Sequence, residues 1–278
     1  MRFGLFVPPF AELADPRRVA DLAHIAEESG WEGFYIWDHV LGRGGMGVAD
    51  PWVTLAAVAT ATERVRIGTL VTPLGRRRPW VMARQVASLD QLSDGRVVVG
   101  VGLGHDGWRE FSAFGEAVDA RQRGRLLDES LDVLSRLLGG EPVHHQGEQL
   151  TVDTEPFIPL PLQDPVPIWA ACQWPHRRPL ARAARLQGCF PIFPAPMPPP
   201  PPTPDEVGEV RAELDRLGAA PDIDLIVRCS LSLEEPAALR RRVSDLEAAG
   251  VTWMLEGFGP GEPPAPVVEQ IVRRGPPR

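Results

Sequence analysis

The most chemically capable pair in the chain is Asp38-His39. Imidazole titrates near neutrality, so it can serve as acid, base or hydrogen-bond donor to a developing anion. The plainer alternative is an aspartate that caps a turn beside a half-buried histidine. A second histidine, His105, follows the alternating glycines Gly100, Gly102 and Gly104 and is a candidate second acid or base. Glycines at alternate positions of a strand strip its face of side chains, so that backbone can approach a planar ligand closely or a helix can pack tightly. Trp37, Trp108, Trp169 and Trp174 are available to wall such a site or to fill a core.

Absences narrow the chemistry further. The 278 residues contain no lysine and no asparagine, so all 29 residues counted as Lys+Arg are arginine. Schiff-base and pyridoxal-phosphate enzymes and Walker A phosphate loops all need a lysine, and they drop out together. The three cysteines, Cys172, Cys189 and Cys229, show no CxxC spacing, which suits a reduced, cytoplasmic setting. Six histidines include the pair His144-His145 but no HExxH pattern, so no metal site is expected.

A net charge of -8 and a pI near 5.3 argue against nucleic acid or an anionic membrane as a partner. The arginine runs Arg76-Arg77-Arg78 and Arg240-Arg241-Arg242 read as solvated faces. No apolar run reaches membrane-spanning length, and the run Phe3 to Val7 is too short for a signal peptide and is broken by Pro8-Pro9.

These residues need a frame, and apolar strands alternating with amphipathic helices supply one. Strands are expected at Arg2 to Val7, Gly33 to Trp37, Val65 to Val71, Val97 to Gly102, Ile168 to Ala171, Gly188 to Phe193, Ile223 to Cys229 and Val251 to Leu255. Helices are expected from Asp15-Pro16 to Gly30, Pro51 to Thr62, Pro79 to Leu92, Ala120 to Leu138, Pro179 to Leu186, Pro204 to Leu217, Pro236 to Ala249 and Pro264 to Arg273. His144 to Val152 forms a small excursion, and residues 194–204 form a proline-rich surface loop or lid.

Eight strands and eight principal helices predict an α/β protein, a (β/α)8 TIM barrel spanning residues 1–278 as one domain. A doubly wound open sheet is the alternative. Its GxGxxG fingerprint would need glycine at 105, where His105 stands. In a barrel, functional groups gather beyond the C-terminal ends of the strands. Those positions hold Trp37-Asp38-His39, Thr69 to Thr72, Gly102 to His105, Ala171 to Trp174 and Glu256.

Several runs resemble the luciferase-like, flavin-dependent oxidoreductases. They are Asp50-Pro51-Trp52, Thr62-Glu63-Arg64-Val65-Arg66-Ile67-Gly68-Thr69, Leu92-Ser93-Asp94-Gly95-Arg96 and Gly100-Val101-Gly102-Leu103-Gly104. Glu110-Phe111, Phe114-Gly115-Glu116, Leu127-Asp128-Glu129, Gly140-Glu141-Pro142 and Ala249-Gly250-Val251-Thr252-Trp253 extend the likeness over nearly the whole chain.

The resemblance implies a barrel that binds a flavin, the deazaflavin F420 or alternatively FMN, at its C-terminal mouth. It implies that Asp38 contacts the cofactor and that His39 lies by the reactive ring in proton transfer. It implies that Leu70, Val71 and Thr72 support the ring face through a non-prolyl cis peptide, and that Gly102, Leu103 and Gly104 lie beside the cofactor. Ala171 and Cys172 stand where many members bind phosphate with Gly-Gly. The lysines that F420-dependent sugar-phosphate dehydrogenases use are absent.

The expected function is hydride transfer between F420 and a small organic substrate, or FMN-dependent monooxygenation. Trp37, Trp108, Trp174 and Glu256 are expected to line the substrate pocket. The resemblance makes a homodimer plausible. A degenerate, non-catalytic ligand-binding barrel is the alternative from another class, and a metal-dependent hydrolase barrel is a third.

Overall fold

The eight strands expected from the sequence carry apolar residues on both faces, which a sheet can bury only by having helices on one side and its own closed interior on the other. A computed structural model of the chain describes residues 1–194 and 200–277. The elements in order are β1 (Arg2–Val7), α1 (Pro16–Glu28), β2 (Gly33–Ile36), α2 (Pro51–Ala61), β3 (Arg66–Pro73), α3 (Pro79–Leu92), β4 (Val97–Gly102) and α4 (Ala120–Leu138). There follow β5 (Val143–Gln146), β6 (Thr151–Thr154), β7 (Ile168–Gln173), α5 (Arg177–Ala183), β8 (Gly188–Ile192), α6 (Pro204–Arg216), β9 (Asp224–Cys229), α7 (Pro236–Ala248), β10 (Trp253–Gly257) and α8 (Ala265–Arg273).

Eight of the strands close into a barrel, in the order β1-β2-β3-β4-β7-β8-β9-β10 and back to β1. The closing pair runs parallel, with Arg2 opposite Trp253 and Phe6 opposite Gly257. An open doubly wound sheet is excluded. The excursion near His144 is an antiparallel hairpin, β5 with β6, inserted between α4 and β7.

Local chemistry sets the ends of the elements. Asp15 accepts the Arg17 N–H at the start of α1, Pro16 occupies the first helical position, and Gly30 at φ +90° ends the turn beyond Ser29. Asp50 caps α2, Asp119 caps α4, and Thr203 forms a reciprocal capping box with Glu206 at the start of α6.

Alternation along the strands divides the core in two. Leu5, Val7, Ile36, Ile67, Val99, Val101, Cys172 and Met254 face the helices. Phe6, Tyr35, Leu70, Val98, Trp169, Phe190, Ile226, Trp253 and Leu255 fill the barrel. Tyr35, Trp169 and Trp253 lie with ring centroids 5.2–5.8 Å apart, so the interior beneath the mouth is plugged by aromatics.

The last strand departs from expectation. It runs from Trp253 to Gly257 rather than from Val251, because Thr252 still belongs to the turn, its N–H bonded to the Leu225 carbonyl. Residues 195–199 of the expected proline-rich loop or lid lie outside the described residues. Among the described residues no helix is long and apolar enough to cross a membrane, and no cluster of His, Cys, Asp and Glu has the makings of a metal site.

Candidate active site

At the C-terminal end of the barrel, β3 carries an irregularity that shapes the mouth. Its register against β4 shifts between Thr69 and Thr72, and the Leu70-Val71 peptide is cis. The β4 glycines are what make room for it. A Cβ on Gly100 would lie 2.1 Å from the Thr69 carbonyl oxygen and 2.7 Å from Leu70 Cδ2, and one on Gly102 would lie 2.6 Å from Val71 Cγ2. Gly104, at φ +72°, is closed in by Phe111 and Pro73. These glycines are therefore occupied by neighbouring protein, not held open for a ligand as expected from the sequence. They seat the bulge, and the bulge sets Val71 at the mouth beside the aromatic floor.

His39 stands in an aromatic box. Its ring centroid lies 4.7 Å from Trp108, 5.4 Å from Phe10 and 5.7 Å from Trp37. Its Nδ1 lies 2.7 Å from Glu110 Oε2. The other Glu110 oxygen accepts the Val40 N–H at 2.7 Å, the Leu41 N–H at 3.3 Å and Arg76 Nη1 at 2.7 Å.

Burial works to raise the pKa of Glu110, but the His39 hydrogen bond, the Val40 N–H and the Arg76 charge outweigh it and hold the pKa at about 2. Glu110 is thus a carboxylate at neutral pH and accepts from His39, which puts the imidazole proton on Nδ1. Nε2 has no partner among the described residues, and the side chain keeps 26% of its surface exposed. The result is an oriented imidazole with one free nitrogen at the barrel mouth.

Asp38 belongs to the support of this arrangement. Its side chain is wholly buried. Arg77 grips both oxygens, Nε to Oδ2 at 2.9 Å and Nη2 to Oδ1 at 3.0 Å. Thr72 donates to Oδ2 at 2.8 Å, and Arg76 reaches Oδ1 at 3.3 Å and the Asp38 carbonyl at 2.7 Å. Arg76 and Arg77, expected as a solvated run, are instead the clamp that joins Asp38 to Glu110. The carboxylate expected to touch a cofactor has no exposed oxygen.

Other expected site residues lie elsewhere, and strand alternation explains why. Glu256 sits inside β10 on its outer face and accepts from the Ser232 N–H at 3.0 Å and the Ser232 hydroxyl at 2.8 Å, away from the mouth. Burial raises its pKa, only partly offset by Ser232. Trp174 packs against the helix-side core. Cys172 also points outward, its Sγ 3.1 Å from that of Cys189, both thiols free and buried. Ala171 faces inward and neighbours Gly102. His105 is exposed; its Nδ1 accepts the Gly107 N–H at 2.9 Å and so fixes the short turn that carries Trp108 against His39.

The profile of the luciferase-like monooxygenases matches residues 1–266. The chain belongs to that family. The F420-dependent glucose-6-phosphate dehydrogenase of Nakamurella multipartita is 36% identical over 186 residues, 65% of this chain and 53% of that protein. The chain spans about half the length of the curated relatives it matches. The F420-dependent tetrahydromethanopterin reductase of Methanopyrus kandleri superposes with a TM-score of 0.75 over 99% of this chain and 98% of that one, at 18% identity. An F420-dependent secondary alcohol dehydrogenase, solved with an F420-acetone adduct, gives 0.76 at 17% identity over 99% and 98%.

In this luciferase-like barrel, sequence reasoning missed the network formed by Glu110, Arg76 and Arg77, and the inward placement of Arg228 on β9. Glu110 is 71 residues from His39 in sequence, so only the fold brings them together. Arg228 was legible: it interrupts the apolar run Leu225-Ile226-Val227, two residues after the inward-facing Ile226. A period of two places it inside the barrel.

Proposed function

We propose that the chain is an F420-dependent oxidoreductase that catalyses hydride transfer between the deazaflavin and a small organic substrate at the barrel mouth. The observation that carries this reading is the His39-Glu110 pair, with Nε2 free in an aromatic box. The residues present suit a planar aromatic cofactor. Trp37 and Trp108 offer part-exposed aromatic faces beside Val71, with Phe6 packed beneath, and the buried Trp37 indole N–H has no partner among the described residues. When bound, the deazaflavin supplies hydride chemistry that no side chain provides.

The protein's share is positioning and proton transfer. The aromatic box screens part of the His39 ring from water and leaves one edge open to the mouth. Glu110 keeps the Nδ1 proton in place, so Nε2 is the atom that exchanges a proton with the substrate oxygen. Arg76 holds Glu110, and Asp38 with Arg77 and Thr72 holds Arg76 and the bulge. His105 acts through the turn bearing Trp108. Ala171 stands beside Gly102, where ladder pairing between β4 and β7 ends at Val101 and Ala170. A reduced, cytoplasmic setting and a homodimer belong to the same reading, and sedimentation tests the second.

Fluorescence titration with F420 and with FMN tests the cofactor. Micromolar F420 binding with no FMN binding is expected; the reverse overturns the assignment in favour of FMN chemistry. In any turnover assay found with F420, His39→Gln should lower kcat by roughly 10²–10³-fold with little change in cofactor affinity. Unchanged turnover removes the proton-transfer role.

A further inference from the structure

One charged group at the mouth is left without a task by the His39 machinery. Arg228 lies on the inner face of β9, opposite Leu255 of β10. Its guanidinium sits over the Phe6 ring at 5.6 Å and the Trp37 ring at 6.0 Å, on the aromatic floor of the mouth. Room for it is built into the neighbouring strand. A Cβ on Gly257 would lie 2.2 Å from Arg228 Nε and 2.7 Å from Cγ, so the side chain crosses β10 through the space that glycine leaves.

The electrostatics are unusual for a half-buried cation. The only hydrogen bond Arg228 makes among the described residues is from Nη2 to the Phe258 carbonyl, and it is long at 3.3 Å. No carboxylate forms an ion pair with it among those residues. Glu256, the nearest in sequence on β10, turns outward to Ser232. Burial lowers the Arg228 pKa, with only part of that offset by distant Glu256. Arginine nonetheless stays charged at any working pH. Half-burial of an unpaired charge carries part of the desolvation cost, and ring faces compensate it only in part. Arg228 therefore presents unpaired N–H donors on an apolar, aromatic surface, in contrast to Arg76 and Arg77, whose charges are already matched by Asp38 and Glu110.

We propose that Arg228 is the anchor for the anionic head of the substrate, which is accordingly a small organic acid with an apolar body lying on Phe6 and Trp37. A planar guanidinium with free donors takes a carboxylate in a charge-assisted, two-point contact that a neutral amide cannot reproduce. The proposal rests on the oxidoreductase reading for the word substrate, yet its binding chemistry is measurable without cofactor or turnover.

Isothermal titration of the whole protein with 4-phenylbutyrate and with its neutral analogue 4-phenylbutyramide tests it. The acid should bind at least tenfold more tightly than the amide. In Arg228→Met that preference should vanish while amide affinity holds. Arg228→Lys, which keeps the charge but not the fork, should retain part of it and guards against a misfolded Met variant, with circular dichroism checking both. Equal binding of acid and amide by the wild type, or a preference that survives in Arg228→Met, overturns the proposal. A parallel F420 titration separates the remaining source of an anion. Unchanged F420 affinity in Arg228→Met is expected, whereas a tenfold loss there would assign the guanidinium to the cofactor and overturn the proposal. Failure of F420 to bind the wild type would strike the oxidoreductase reading and leave the acid-amide comparison standing.

Discussion

The two halves of the barrel mouth use charge in opposite ways. On the β1–β4 side, Asp38, Arg76, Arg77, Glu110 and His39 form one connected network in which both carboxylates are matched by arginine. On the β7–β10 side, Arg228 and Glu256 sit on neighbouring strands yet face opposite sides of the sheet, and neither has an ion-pair partner among the described residues. Burial acts on Glu110 and Glu256 alike, but donors around Glu110 win and those around Glu256 do not. A saturated network fixes geometry, while an unsaturated one leaves binding capacity. The first half is built to hold one histidine still; the second has room for a ligand's charge.

Breaking the network should produce the largest effect. Glu110→Ala leaves the buried Arg76 Nη1 without its acceptor, with only Asp38 still holding Arg76, and frees the Val40 and Leu41 N–H groups, so it should destabilise the fold by about 3 kcal/mol. Urea unfolding measures it. A loss below about 1 kcal/mol would mean that Asp38 alone satisfies Arg76 and that the two halves differ less than their geometry suggests.

Acid sharpens the same contrast. The folded-state pKa of Glu110, about 2, lies below its ordinary value of 4.5. Its contribution is therefore complete above about pH 4.5 and is lost as pH falls towards 2. Compared with Glu110→Gln, wild-type stability should fall by on the order of 2 kcal/mol more across that window. Parallel acid titrations of the two proteins would assign the loss elsewhere if their stabilities declined together.

Much of the fold was legible because the strands and helices carry strong local signals. The first strand, the third helix and the fourth strand, at Arg2–Val7, Pro79–Leu92 and Val97–Gly102, stand where the sequence puts them. At the site, the run through Asp38 and His39 and the Leu70 to Thr72 segment were recognisable because their residues are contiguous. What was hidden is relational. The partners of Glu110 lie after β2 and after β3, and Arg76 and Arg77 read as solvated until Asp38 is found buried beneath them. Glu256 and Trp174 were misplaced for a simpler reason: at a strand's end, a shift of one residue exchanges the mouth for the helix layer.

The smallest test concerns Glu256 itself. Its folded-state pKa is raised, so its contribution to stability is present below the ordinary carboxylate value and is lost as pH rises through the folded one. Glu256→Gln keeps an acceptor for Ser232 and removes the buried charge. It should be neutral at pH 4 and stabilising by roughly 0.5–1 kcal/mol at pH 7, because an unpaired charge is the costlier form to bury. If the variant is less stable at pH 7, then Arg228 draws on the Glu256 charge through the sheet. In that case its guanidinium is more fully compensated than its contacts indicate, and the acid preference assigned to it should be correspondingly weaker.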